Sequence, residues 1–107
     1  KCGIDIEKRD RNTLKIKHKF LHSNDFMLKE HKEDLLRIWC MKEVLYKIKK
    51  DSSITFKDHL IISRQKDNFL GNCLHPRFSF KCSIKVFNFE NYFLAFNTSY
   101  RELNKND

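Results

Sequence analysis

From His31 to Lys49 apolar residues recur at spacings of three and four: Leu35, Leu36, Ile38, Trp39, Val44, Leu45 and Ile48. That periodicity predicts the longest helix of the chain. Cys40, Met41 and Tyr46 extend the apolar surface around most of the helix circumference, so this helix must be packed on more than one side. Charge retained in such a helix is costly unless it has a partner. Lys42, Glu43 and Lys47 are charges of this kind. A chain of 107 residues has room for one core around one such helix, and residues 1–107 read as a single domain.

The other elements are read around that helix. Residues 2–7 predict a short strand with Ile4 and Ile6 on one face and Asp5 and Glu7 on the other. Lys8–Asn12 predicts a charged loop, Asn12 or Thr13 a helix cap, and Leu14, Ile16, Phe20 and Leu21 a loose helical face. Ser23, Asn24 and Asp25 read as a turn and a second cap before Phe26–Lys29. Asp51-Ser52-Ser53 ends the long helix. A strand at residues 59–64 and a polar turn region over Gln65–Asn72 follow. Phe78, Phe80, Cys82, Ile84 and Val86 then alternate with Ser79, Lys81, Ser83 and Lys85, the pattern of a half-exposed strand. Asn88–Asn91 turns the chain into Tyr92–Asn97, which is apolar on both faces and reads as an interior strand. Ser99–Asp107 reads as a frayed polar tail. An N-terminal strand, helices and then an antiparallel strand meander make an α+β fold.

Forty per cent apolar residues, 14 aromatics and only 2 Gly and 1 Pro exclude a disordered or collagen-like chain. Twenty-two Lys and Arg against 14 acids give a net charge of +8, which favours polyanionic partners: nucleic acid, nucleotide phosphates, anionic lipid or an acidic protein. Cys2, Cys40, Cys73 and Cys82 show neither C-x-x-C nor zinc-finger spacing and read as reduced thiols of a cytoplasmic protein. No apolar run approaches the ~20 residues of a membrane span, and there is no signal-peptide core near the start. The chain opens at Lys1 almost inside a strand, which is read as one lobe of a longer polypeptide. The five His are scattered and read as loop or solvent-facing residues. The Phe–Lys alternation near Phe78–Lys85 suits a nucleic-acid stacking platform in principle, but it reads more simply as a core face and a wet face.

Asp5 and Glu7, two apart on a strand, project the same way. By themselves they would be the polar face of an edge strand. Glu43 and Lys47, four apart on a helix, would by themselves be a surface ion pair worth ~0.3–0.5 kcal/mol. If strand and helix lie side by side, three carboxylates and an ammonium converge, and such a cluster calls for a divalent cation and a phosphate among its members. Mg²⁺ takes hard oxygen ligands of this type.

Gly3-Ile4-Asp5-Ile6-Glu7, followed by Trp39, Lys42, Glu43 and Lys47 in W-x-x-K-E-x-x-x-K register, resembles the signature of the 4′-phosphopantetheinyl transferase superfamily. Lys19-Phe20-Leu21 and Asp25 also match the family's intervening segment. The resemblance covers residues 2–47 well and the later strands in outline. It implies a 4′-phosphopantetheinyl transferase-like α+β fold, like the C-terminal half of the two-lobed members. It also implies Mg²⁺-dependent transfer of phosphopantetheine from coenzyme A to a serine of an apo acyl or peptidyl carrier protein, releasing 3′,5′-ADP. Asp5, Glu7 and Glu43 would hold Mg²⁺, Glu43 would serve as the base, Lys47 would contact the diphosphate, and Lys42 would lie near the phosphates. An acidic carrier protein suits the +8 charge. A missing N-terminal lobe or a second copy of the chain would complete the coenzyme A pocket, and Phe93 and Ala95 are candidates for packing on it.

The chain departs from the family pattern after the helix Lys, where Ile48–Ser53 contains no glycine, and it does not contain the Ser-His-Ser segment that two-lobed members carry before the first strand. The rival expectations are a basic nucleic-acid-binding module and a catalytically inactive structural lobe.

Overall fold

A computed structural model describes residues 1–26 and 32–103. Strand β1 (Ile4–Lys8) is followed by a 3₁₀ turn at Leu14–Ile16 and a single helical turn, α1 (Lys17–Phe20). Helix α2 (Lys32–Lys49) is the long helix, and α3 (Phe56–His59) is one turn. Strands β2 (Leu60–Gln65), β3 (Asn68–Leu74), β4 (Ser79–Phe89), β5 (Tyr92–Asn97) and β6 (Arg101–Glu102) follow. All strands pair antiparallel in the order β1-β5-β4-β3-β2, with β6 pairing β4. The fold is therefore an α+β domain in which a meander carries a helix on one face. The Lys29 end of the expected second helix, the His31 start of α2 and the end of the tail lie outside the described residues.

Helix α2 is buried along most of its length, as its sequence pattern requires. Leu35, Leu36, Ile38, Cys40, Met41, Val44 and Leu45 are all at most 1% exposed. Against them lie Leu60 and Ile62 of β2, Cys73 of β3, Phe80, Cys82 and Ile84 of β4, and Phe93 and Ala95 of β5. The turn expected over Gln65–Asn72 is mostly strand: β3 starts at Asn68, and the turn is only Lys66-Asp67, with Lys66 at φ 51°. Gly71 stands inside this strand, and packing explains why glycine is there. A Cβ on Gly71 would lie 2.8 Å from Ile84 Cδ1 and 2.9 Å from Leu45 Cδ2. Similarly, the tail is not wholly frayed, since Arg101–Glu102 pairs with Lys81 and Phe80.

Helix α2 ends at Lys50, which takes the left-handed backbone region (φ 54°) while its N–H donates to the Tyr46 carbonyl at 2.7 Å. Glycine is the usual residue for that geometry. Lys50 thus performs, with a side chain, the turn that a glycine would make without strain.

The strand that matters most is β1. It lies at one edge of the sheet, paired only to β5, with Asp5 opposite Ala95 and Glu7 opposite Phe93. Its alternation is as the sequence predicts, but the buried face is the acidic one. Ile4 and Ile6 are 56% and 54% exposed, whereas Asp5 and Glu7 are 5% and 9% exposed and face α2. Phe93 and Ala95, expected on an uncovered face, are buried beneath the helix for the same reason of register. Of the exposed apolar residues, Ile4, Ile6, Phe87 and Phe89 lie on the other side of the sheet.

Two contacts bring β1 this close to α2. The Cys40 thiol donates to the Asp5 carbonyl at 3.6 Å, and Gly3 packs on the helix backbone. A Cβ on Gly3 would stand 2.5 Å from the Val44 carbonyl oxygen and 3.1 Å from Ile48 Cγ1. A helix carbonyl cannot step aside, so Gly3→Ala is expected to push β1 off α2 and to destabilise the protein by about 1–3 kcal/mol. Urea unfolding checks this, and a midpoint equal to that of the wild type would show that the approach is not constrained.

Candidate functional site

Strand β1 and helix α2 run in opposite directions along their shared seam. Trp39, Glu43 and Lys47 stand one helical turn apart on α2, and Glu7 and Asp5 stand two residues apart on β1. At one end Lys47 Nζ donates to the Ile4 carbonyl at 3.1 Å and pairs with Asp5 Oδ1 at 2.8 Å. At the other end Arg11 Nη1 pairs with Glu7 Oε1 at 2.5 Å, and its guanidinium lies 5.0 Å from the centroid of the Trp39 ring. Three carboxylates thus sit between two cations.

The electrostatics of the seam follow from burial. Glu7 is pushed up to about 7, first by desolvation, then by hydrogen bonding to and repulsion from Asp5, with Arg11 opposing. Glu43 is raised by burial and then by the Asp5 charge, while Lys47 and Arg11 pull it down. Among the described residues its carboxylate has no hydrogen-bond or ion-pair partner. Lys47 is raised, chiefly by its hydrogen bond to Asp5. Asp5 Oδ2 is buried and has no donor facing it. Buried polar atoms without a partner are rare in folded proteins and call for an explanation. The Cys40 thiol beside them is pushed up by burial and by Asp5, which leaves it a neutral packing group rather than a nucleophile.

The donor set is all carboxylate oxygen, one of those oxygens is orphaned, and burial and the Asp5 charge raise the proton affinity of Glu7. These features suit a hard divalent cation. Among the described residues no three His, Cys, Asp or Glu side chains already converge tightly enough to hold a metal, so Glu43 would have to close on the pair. An open groove of about 470 Å³ starts at Lys47 and is lined also by Lys1, Gly3, Ile4 and Lys50. Three ammonium groups border it, an arrangement that favours an anion. A somewhat larger groove of about 520 Å³ lies at Lys8, Arg9, Asp10, Asn91 and Tyr92; neither groove is lined by Asp5, Glu7 or Glu43, and only the first includes Lys47.

Asp5, Glu7, Glu43 and Lys47 therefore lie along one seam, with Lys47 on Asp5 and Glu43 standing off the Asp5–Glu7 pair. Lys42 is not. Its side chain is fully buried, and Nζ donates to the carbonyls of Phe20 (2.5 Å) and Phe56 (3.0 Å) and pairs with Asp25 Oδ2 at 2.7 Å. An ammonium has three donors, and all three are used. Asp25 in turn accepts from the backbone N–H of His22 and of Ile62, both at 2.8 Å. The expectation of Lys42 beside the phosphates is corrected on this ground: one helical position rotates it about 100° away from Glu43, and it ties α1, α3 and β2 together instead.

Arg11 and Asn97 were missed. Asn97 accepts from the Gly3 N–H at 2.8 Å and donates to the Lys1 carbonyl at 3.0 Å, which fixes the start of β1. Arg11 reaches Glu7 only because the chain turns back after Lys8, and a basic loop carries no mark of that turn.

Comparisons with known protein families, with curated proteins and with solved structures found no match. No helix among the described residues is long and apolar enough to cross a membrane.

Glu7 holds its proton to about pH 7 in the folded state, against an ordinary value of 4.5. The folded state therefore binds more protons than the unfolded state between those values, and stability falls as pH rises through that window. The metal-free protein is expected to lose on the order of 1–3 kcal/mol between pH 4.5 and 7, read by urea unfolding in a chelator, and Glu7→Gln should flatten the profile. A wild-type profile that is level or rising would contradict the buried-carboxylate account. Separately, Lys42→Met leaves Asp25 buried without its cation and should cost about 3–5 kcal/mol, part of which returns in Lys42→Met/Asp25→Asn. Equal stability of Lys42→Met and wild type would remove the ion pair from the core.

Proposed function

We propose that this chain is a 4′-phosphopantetheinyl transferase domain of the two-lobed type. It would move phosphopantetheine from coenzyme A to a serine of an acidic apo acyl or peptidyl carrier protein, in the cytoplasm. One observation supports the reading above the others: an edge strand turns its acids inward and its isoleucines outward, and so places Asp5 and Glu7 against Glu43 and Lys47. A strand free to choose would bury Ile4 and Ile6, since each buried isoleucine is worth about 1.5–3 kcal/mol. Forgoing that gain, and desolvating two carboxylates as well, makes sense for a site that binds a cation.

In this reading Asp5, Glu7 and Glu43 would hold Mg²⁺, and the ion would supply positive charge to the carboxylates and to a diphosphate. Lys47, at the mouth of the groove bordered by Lys1 and Lys50, holds a phosphate of coenzyme A. The serine Oγ of the carrier protein attacks the phosphorus that bears the pantetheine arm. The bond from that phosphorus to the bridging oxygen breaks, and 3′,5′-ADP leaves. The serine proton passes to Glu43, directly or through a water that it orients. The raised proton affinity of Glu43 suits a base. Lys42 acts at a distance, by fixing the pose of α2. A companion lobe, in the same chain or a second copy, would cover the outer face at Ile4, Ile6, Phe87 and Phe89.

The test is incubation with an apo carrier protein, coenzyme A and Mg²⁺, reading phosphopantetheine addition by mass. Asp5→Asn and Glu43→Gln are each expected to lower the rate by about 10²–10⁴-fold while the far-UV circular dichroism is unchanged. Undiminished transfer in both variants, or no transfer to any of several carrier proteins, would overturn the proposal.

A further inference from the structure

Arg11, the cation at the Glu7 end of the seam, belongs to neither sequence motif, yet it is the group most directly in the way of a metal. Its N–H donates to the Lys8 carbonyl at 3.0 Å, closing the turn that brings the chain back beneath the end of β1. Its side chain is 45% exposed, whereas that of Glu7 is 9% exposed. A buried carboxylate thus has a counter-ion that stands half in water, held by one ion pair and by the face of Trp39. Exposed arginines with one ionic contact exchange partners at small cost. Lys47, at the other end, is held by both the Ile4 carbonyl and Asp5.

This asymmetry has a chemical consequence. A divalent cation seated on Asp5 and Glu7 would bind the same Glu7 carboxylate whose Oε1 Arg11 holds, while Asp5 still has an unpartnered oxygen to offer. Two cations that meet at one carboxylate repel each other.

We propose that Arg11 is a displaceable counter-ion. It keeps Glu7 aimed at Asp5 while the seam is free of metal, and it gives up Glu7 and leaves the Trp39 ring when a divalent cation binds. Arg11 is thus a positioning residue: it assembles the carboxylates in advance and offsets their repulsion until the cation does so. This role rests on the metal-dependent reading of the seam.

Trp39 is the single tryptophan of the chain, so its fluorescence reports what lies on its ring. Mg²⁺ alone, without coenzyme A, is titrated into the protein, following Trp39 emission and the heat of binding in parallel. In the wild type the emission change and the calorimetric isotherm should share one midpoint. Arg11→Gln, with no cation to displace, should bind Mg²⁺ about three- to tenfold more tightly and show no emission change. Arg11→Lys keeps the charge but cannot lie flat on the indole; its affinity should stay within about twofold of wild type while most of the emission response is lost. Wild-type Mg²⁺ binding without an emission change, or Arg11→Gln binding more weakly than wild type, overturns the role of Arg11 and leaves the metal site standing. No heat and no emission change in the wild type, matching an Asp5→Asn blank, overturns the metal-dependent reading and the role of Arg11 with it.

Discussion

Repulsion among Asp5, Glu7 and Glu43 is the constraint around which the rest of this structure is arranged. Two carboxylates 4 Å apart in a partly desolvated setting repel by about 4 kcal/mol at an effective dielectric near 20, and burial adds to the cost of each charge. The fold meets that cost with Lys47 at one end of the seam and Arg11 at the other, and with a proton that Glu7 retains to about pH 7. The close approach of β1 to α2 sets Glu43 along the same seam as the Asp5–Glu7 pair. Gly3 permits it, the Cys40 thiol on the Asp5 carbonyl marks it, and Asn97 holds the strand's beginning in place.

The same helix carries a second buried charge, and the two serve different ends. Lys42 is fully satisfied by two carbonyls and Asp25, so its environment is closed and complete. The seam around Glu43 is open on one side, under-satisfied at Asp5 Oδ2, and bordered by a lysine-lined groove. A complete network stabilises a particular packing. An incomplete one leaves room for a ligand. Neighbouring positions on one helix therefore separate architecture from chemistry, with the 100° step between Lys42 and Glu43 as the divider.

Much of the fold was legible because it rests on periodicity. The three-and-four spacing from Leu35 to Ile48 marked α2, and the alternation from Phe78 to Val86 marked β4, because burial on one face of a regular element leaves that trace. Strand β3 was not legible: Gln65–Asn72 reads as a polar turn, and the reason for Gly71 within the strand, Leu45 and Ile84 pressing on it, lies in parts of the chain distant in sequence. Of the site, Asp5, Glu7, Glu43 and Lys47 could be named from their spacing. Lys42 could be named as well but not placed, because a one-residue difference in helical position sends it to Asp25 rather than to the carboxylates. Arg11 could not be named, since its reach to Glu7 depends on a turn that a charged loop does not announce.

The amino-acid sequence alone determined which residues alternate on β1, which turns of α2 carry charge, and that the two segments could meet. It could not determine which face of β1 is buried, because a period of two is the same whether Ile4 and Ile6 or Asp5 and Glu7 point inward. Tertiary packing decided that: β5 pairs with β1 in the register that sets Asp5 beside Ala95 and Glu7 beside Phe93, on the side that α2 covers. The helix covers only one face of this edge strand, so the isoleucines stay exposed once the register turns the acids inward, and Lys47 and Arg11 make that choice tolerable.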